Sequence, residues 1–164
     1  MRENCWNNPV NRLEKITVEN LLAYQARILE IERLSFPSPW SVIAFEAEVK
    51  KNISHLWALI IDNVLFGYIC FWMIDDEIQL VNIAVHPLKR REGHATTLLK
   101  KMFEISLSQG IKYVWLEVRP SNHAAKNLYS KFGFYEIGRR PKYYVETQED
   151  ALLMALEFEK PIGK

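Results

Sequence analysis

Apolar residues along the chain change period twice, and those changes mark out its elements. Leu21, Leu22, Ile28, Ile31 and Leu34 recur at helical spacing behind Thr17, a candidate N-cap. Phe36-Pro37-Ser38-Pro39 breaks that helix. A second helix opens at Trp40-Ser41, with Ser41 as its cap and Trp40 placed to staple onto Phe45. From His55 the period shortens, and His55–Ile61, Val64–Ile74 and Ile78–His86 read as strands. Their connections, Asp62-Asn63 and Asp75-Asp76-Glu77, are short and polar, which predicts antiparallel hairpins. After Pro87 a basic loop leads into a helix with Leu98, Leu99, Met102, Phe103 and Leu107 on its apolar face and Gly110 as its stop. Lys112–Arg119 is a strand, and Pro120-Ser121-Asn122 turns it into a helix over His123–Phe132, ended by Gly133. Two strands follow, Phe134–Arg139 and Ala151–Phe158, with Tyr143-Tyr144 in the loop between them.

Ahead of all this, Arg12–Ile16 reads as a short first strand, and residues 1–11 as a polar, loose extension in which only Trp6 and Val10 could anchor. Residues 12–160 form a single domain, since no repeat or Gly/Ser/Pro-rich linker divides them. The order β-α-α-β-β-β-α-β-α-β-β predicts an α/β fold with a mixed sheet flanked by helices. Three successive strands before the first crossover exclude a doubly wound parallel sheet.

Composition narrows the picture. The 164 residues are 49% hydrophobic and 25% charged, enough for a core and against wholesale disorder. A net charge of +1 removes the electrostatic case for a general nucleic-acid or membrane-surface binder. The longest apolar stretch, Val64–Ile74, is shorter than the ~18–20 residues of a membrane span, and no secretory signal opens the chain. Cys5 and Cys70 have neither metal nor redox spacing, and His55, His86, His94 and His123 are scattered without ligand spacing. These features predict a cytoplasmic protein with no metal site.

The strongest chemical signal is Asn82-Ile83-Ala84-Val85-His86-Pro87 followed by Arg90-Arg91-Glu92-Gly93-His94-Ala95-Thr96. A strand runs out, a loop with small residues turns, and a helix begins. Converging backbone N–H groups and an electropositive helix start accommodate a diphosphate, with Gly93 permitting close approach. A basic, glycine-containing turn without a ligand has the same spacing. Neither the Walker A nor the Gly-x-Gly-x-x-Gly pattern is present.

The tract from Leu80 to Phe134 resembles the GNAT N-acetyltransferase superfamily, with Arg90-x-x-Gly93-x-Ala95 matching its acetyl-CoA pyrophosphate loop. Trp115-Leu116-Glu117-Val118-Arg119-x-Ser121-Asn122, Leu128-Tyr129-x-x-x-Gly133-Phe134 and Arg139-Arg140-x-x-Tyr143-Tyr144 are similar to its RimI-type branch, the ribosomal-protein-alanine N-acetyltransferases. Pro39-Trp40-Ser41 fits the same branch, with Ser38 as an inserted residue. The resemblance implies a centrally splayed sheet, acetyl-CoA as cofactor with coenzyme A as product, and acetylation of a protein α-amine. It points to the N-terminal alanine of a small-subunit ribosomal protein. It also implies that Ile83, Ala84, Val85, Arg90, Arg91, Glu92, Gly93, His94, Ala95, Thr96 and Asn122 bind the cofactor, with the Val85 N–H as oxyanion donor.

By the same resemblance Glu117 accepts the proton of the amine, Tyr129 donates to the coenzyme A thiolate, and Trp40, Tyr143 and Tyr144 bind the acceptor. Each has a plainer reading. An apolar strand around Glu117 would favour its neutral form and suit it as a base, yet alternation puts Arg119 on the same face for pairing. Tyr129 could be a helix aromatic packed on the sheet, Asn122 a helix cap, Trp40 the staple, and Tyr143-Tyr144 a half-buried rim. Cys70 in its apolar run is no nucleophile, so direct transfer is expected over an acyl-enzyme. The competing functions are an acetyltransferase for a small amine or a lysine side chain, and a non-catalytic acyl-CoA-binding module. The expected protein acts as a monomer, without nucleic acid or membrane.

Overall fold

The computed structural model describes residues 11–158. The elements are β1 (Asn11–Ile16), α1 (Leu21–Ser35), α2 (Val42–Lys50), β2 (Ser54–Ile61), β3 (Val64–Ile74), β4 (Glu77–Val85), a 3-10 turn (Pro87–Lys89), α3 (His94–Ser108), β5 (Tyr113–Val118), α4 (His123–Lys131), β6 (Tyr135–Tyr144) and β7 (Glu149–Glu157). One seven-stranded sheet runs in the order β1-β2-β3-β4-β5-β7-β6. All neighbours are antiparallel except β4 and β5. The expected α/β fold and element order are therefore observed. Trp6, Val10 and Cys5 lie outside the described residues, whereas Asn11, assigned to the extension, pairs with Ile61 in the sheet.

Helices cover both faces of the sheet and create two cores. One joins Leu21, Ile28 and Ile31 of α1 and Phe45 of α2 to Leu56, Ala58, Ile60, Tyr68 and Cys70. The other joins Leu98, Leu99 and Met102 of α3 and Tyr129 of α4 to Ile69, Phe71, Ile78, Leu80, Val114, Leu116 and Val118. As expected, Ser41 caps α2 by accepting from the Ala44 N–H, and Trp40 packs on Phe45 with ring centroids 5.3 Å apart.

Four local readings are corrected. Thr17 does not cap α1: a turn intervenes, and the Thr17 N–H donates to Asn20 Oδ1 at 2.8 Å. Leu22 and Leu34 are exposed because the buried stripe of α1 runs through Leu21, Ile28, Ile31 and Glu32. Leu107 is exposed because the row Leu98, Met102, Ser106 takes the inward position, where the Ser106 hydroxyl donates to the Met102 carbonyl. Tyr143 and Tyr144 belong to β6, which continues beyond Arg139. The ladder is irregular between Arg140 and Tyr144, where Pro141 has no N–H to give it, and resumes at Tyr144 opposite Glu149.

The feature that positions the site lies between β4 and β5. Their parallel pairing covers only Glu77–Leu80 against Tyr113–Leu116. On the other side of β4 the register slips: Phe71 faces Leu80 while Cys70 faces Asn82, leaving Val81 as a bulge. A bulge bends its strand. Beyond it β4 stays with β3 to Val85 and parts from β5, opening a gap through the middle of the sheet.

Candidate active site

A cleft of about 1130 Å³ occupies this gap. Glu117, Tyr129, Trp40, Tyr143, Tyr144, Ile83, Ala84, Val85, Arg90, Arg91, Gly93, His94, Ala95, Thr96 and Asn122 all line it. Glu92 does not. Its exposed carboxylate reaches His94 Nε2 at 3.1 Å and Lys89 Nζ at 3.9 Å.

At one end the loop after β4 delivers a row of backbone donors. Arg91 and Gly93 adopt left-handed conformations (φ 66° and 83°), and α3 begins at once with Gly93 as its N-cap. The first backbone N–H of this stretch to find an acceptor is that of Thr97, which bonds the Gly93 carbonyl at 3.1 Å. Among the described residues those of 91–96 donate to no protein acceptor. Nothing lies within 4 Å of the point a Gly93 Cβ would occupy. Bare N–H groups at a helix start, with room for close approach, suit a diphosphate. Arg90 plays a different part from a free phosphate ligand: its Nε donates to the Val85 carbonyl at 2.8 Å and its Nη2 to Ser35 Oγ at 3.0 Å, tying the loop to β4 and α1. His86 helps shape the same turn, its Nδ1 accepting from the Leu88 N–H.

Strand alternation orients the Val85 peptide. The His86 N–H donates to the Phe66 carbonyl on the β3 side. The N–H and carbonyl of Val85 therefore face the opposite way, into the gap, where Arg90 meets that carbonyl. Asn122 caps α4 through Oδ1, which accepts from the Ala125 N–H at 3.2 Å. Its Nδ2 makes no hydrogen bond among the described residues.

Glu117 and Tyr129 approach the cleft from opposite sides. Val114, Leu116 and Val118 point into the α3–α4 core, so Glu117 turns to the α1–α2 face. Arg140 Nη1 lies 3.2 Å from Glu117 Oε1, so its partner is Arg140 and not the anticipated Arg119. Arg119 instead stacks 3.8 Å from the centre of the Tyr144 ring and meets Glu146 and Glu149. Tyr143 faces the Glu117 carboxylate, which holds its phenol above the usual range, helped by partial burial. Burial, with Glu117 nearby, pushes the Tyr144 phenol up to about 12. Tyr129 is buried against Phe134 in the α3–α4 core, and that burial raises its phenol further above the normal value. Its hydroxyl bonds to no protein group among the described residues. Cys70, buried beneath α2, has its thiol pushed up to about 12 by burial.

Two participants escape motif reading. Glu32, fully buried, lines the cleft beside Asn82 and accepts from its Nδ2 at 2.9 Å. Its signal was present: it falls on the apolar stripe of α1, one turn after Ile28. The other, Glu146, accepts from Ser38 Oγ and so links the loop after α1 to the loop after β6 across the cleft. Neither residue has a pattern pointing to the other.

The acetyltransferase (GNAT) family profile matches residues 26–134. A Salmonella typhimurium protein named ribosomal protein bS18-alanine N-acetyltransferase is 36% identical over 129 residues, 77% of this chain and 86% of that protein. The Haemophilus ducreyi protein of the same name is 35% identical over 133 residues, 79% of this chain and 91% of its own. The crystal structure of the ribosomal-protein-S18-alanine N-acetyltransferase from Escherichia coli superimposes with a TM-score of 0.82 at 30% identity, covering 93% of this chain and 96% of that one.

Proposed function

The chain belongs to the acetyltransferase (GNAT) family, and from that premise we propose that it acetylates the N-terminal alanine of a small-subunit ribosomal protein, the counterpart of bS18, by direct transfer. It is an acetyl-CoA-dependent N-acetyltransferase. The observation that carries the proposal is the single cleft through the splayed sheet. A diphosphate cradle opens onto it at one end and a tyrosine-lined, carboxylate-bearing groove at the other.

The residues present fit acetyl-CoA. The bare N–H groups of 91–96 and the open side of Gly93 would hold its pyrophosphate, with Ile83, Ala84 and Val85 along its arm and Asn122 Nδ2 free to donate to it. When bound, it supplies the acetyl group as a thioester and leaves as coenzyme A. Val85 offers its N–H to the oxygen that becomes negative during transfer. Glu117 accepts the proton that the attacking ammonium must lose. Tyr129 holds a hydroxyl proton toward the departing sulfur. Its raised phenol makes it a stronger stabiliser of a thiolate by hydrogen bonding than by giving the proton away. Trp40, Tyr143 and Tyr144 wall the groove in which the acceptor's first residues lie.

Cys70 gives no support to an acyl-enzyme, being buried with its thiol held neutral. The presence of both Glu117 and Tyr129 in the cleft speaks against a purely binding module. No helix among the described residues is long and apolar enough to cross a membrane. We further propose that residues 12–160 work as one domain, as a monomer in the cytoplasm, without nucleic acid or membrane. The test is a mass-spectrometric screen of acetyl transfer from acetyl-CoA onto peptides differing only at the first residue. Alanine should lead, and no transfer to any free N-terminus contradicts the proposal.

A further inference from the structure

Glu32 has no place in the chemistry above, yet it is fully buried beside the cleft. From the last turns of α1 its carboxylate accepts from three other elements. The Trp40 backbone N–H comes from the loop after α1 at 2.6 Å, the Tyr68 hydroxyl from β3, and Asn82 Nδ2 from β4 at 2.9 Å. Asn82 Nδ2 also lies 2.9 Å from the Tyr68 hydroxyl, closing the network. Among the described residues no lysine or arginine pairs with Glu32.

A buried carboxylate without a cation is costly, and an apolar side chain there would pack on Ile28 and Ile31 at less expense. What the carboxylate provides is geometry. Two of its three partners shape the acceptor side of the cleft. Trp40 belongs to the wall of the groove, and Asn82 follows the Val81 bulge where β4 leaves β5. Tyr68 anchors both from a fully buried position.

Resting on the acetyl-transfer reading above, we propose that Glu32 is a positioning residue for the acceptor, fixing the 36–41 loop against the Asn82 segment at the separation the incoming N-terminus requires. Cofactor binding and proton transfer do not run through it. Loss of the network therefore loosens acceptor binding selectively, with the bare N–H row of 91–96 left intact.

The test is Glu32→Gln, assayed at pH 8 where the wild-type group is a carboxylate, which turns one acceptor atom into a donor facing other donors. The expected result is an acceptor-peptide KM raised tenfold or more, kcat within threefold, and a calorimetric Kd for acetyl-CoA within twofold of wild type. Amide hydrogen exchange at Trp40 should quicken at least tenfold. Should Glu32→Gln not fold, Tyr68→Phe, which removes one donor and keeps the ring, should show the same KM-selective pattern at smaller size. An unchanged peptide KM beside faster Trp40 exchange overturns the proposal, as does weakening of peptide and acetyl-CoA binding to equal extent. Wild-type protein that acetylates no peptide N-terminus overturns the underlying reading as well. An active wild type with an indifferent Glu32→Gln variant overturns this proposal alone.

Discussion

Glu117 and Tyr129 stand on opposite faces of one sheet and nonetheless line the same cleft. They can do so because β4 and β5 separate after Leu80 and Leu116, so that the sheet is open where a continuous one would keep the two residues apart. In the proposed reaction an amine entering from the α1–α2 face would meet the Glu117 carboxylate, and with the pyrophosphate held at the start of α3 the Tyr129 phenol would serve the leaving sulfur.

Tyr129→Phe keeps the ring in its core against Phe134 and removes only the hydroxyl. Fold and acetyl-CoA affinity should hardly change, while kcat falls by about 10²–10⁴-fold, the range of a positioned acid or base. Because burial holds the wild-type phenol above its ordinary value of 10.0, no alkaline loss of rate from this group is expected below that pH. Steady-state kinetics with calorimetry checks both statements.

Glu117→Gln should depress kcat/KM most at low pH, where the amine is chiefly ammonium and needs a proton acceptor. The deficit should shrink as pH approaches the amine's own pKa of ~7.8. A pH–rate profile of the variant, measured beside wild type, reads this directly. A deficit that stays constant across the range would assign Glu117 to structure through its contact with Arg140.

Gly93→Val places a branched side chain at φ 83°, a conformation costing a non-glycine residue about 1–3 kcal/mol. It also fills the open side of the cradle. Acetyl-CoA binding should weaken by at least tenfold, measured by calorimetry on a variant whose circular dichroism is native. Unchanged affinity in such a variant would remove this loop from the cofactor site.

Burial pushes the Glu32 carboxyl up to about 7, against 4.5 for the ordinary group. Between those two values the unfolded chain has released this proton and the folded chain still holds it, so rising pH favours unfolding. The stabilisation is complete below about 4.5 and lost as pH passes about 7. The Tm of wild type relative to Glu32→Gln, which has nothing to titrate at that position, should fall across that window in differential scanning calorimetry. The opposing contribution of His55, whose imidazole is pushed down by burial, is common to both proteins.

Much of this arrangement was legible in the sequence, for identifiable reasons. Strong local signals carried the elements: Ser41 before an apolar run, short Asp/Asn turns between strands, and glycines at helix ends. The cofactor loop is contiguous from Asn82 to Thr96, so its chemistry reads along the chain. What stayed hidden depends on residues far apart. The Val81 bulge is a slip of register against β3 that no single strand reveals. Arg140 reaches Glu117 from a strand position beyond the expected end at Arg139, where it pairs with Ala151 of β7, and the pairing expected with Arg119 fails because Glu146, Glu149 and Tyr144 hold that side chain. Likewise, a buried Glu32 looks from sequence like one more charged helix position until three donors converge on it.

The central claim is transfer to a protein α-amine, and competition between two amines within one peptide tests it most directly. Losing a proton near neutral pH is easier for an α-amine than for lysine by about 2.6 pKa units, roughly 3.5 kcal/mol. Given a peptide with an N-terminal alanine and an internal lysine, mass spectrometry should find acetyl on the α-amine alone. Blocking the N-terminus should abolish transfer without diverting it to lysine. Comparable rates on the blocked, lysine-containing peptide would contradict the account.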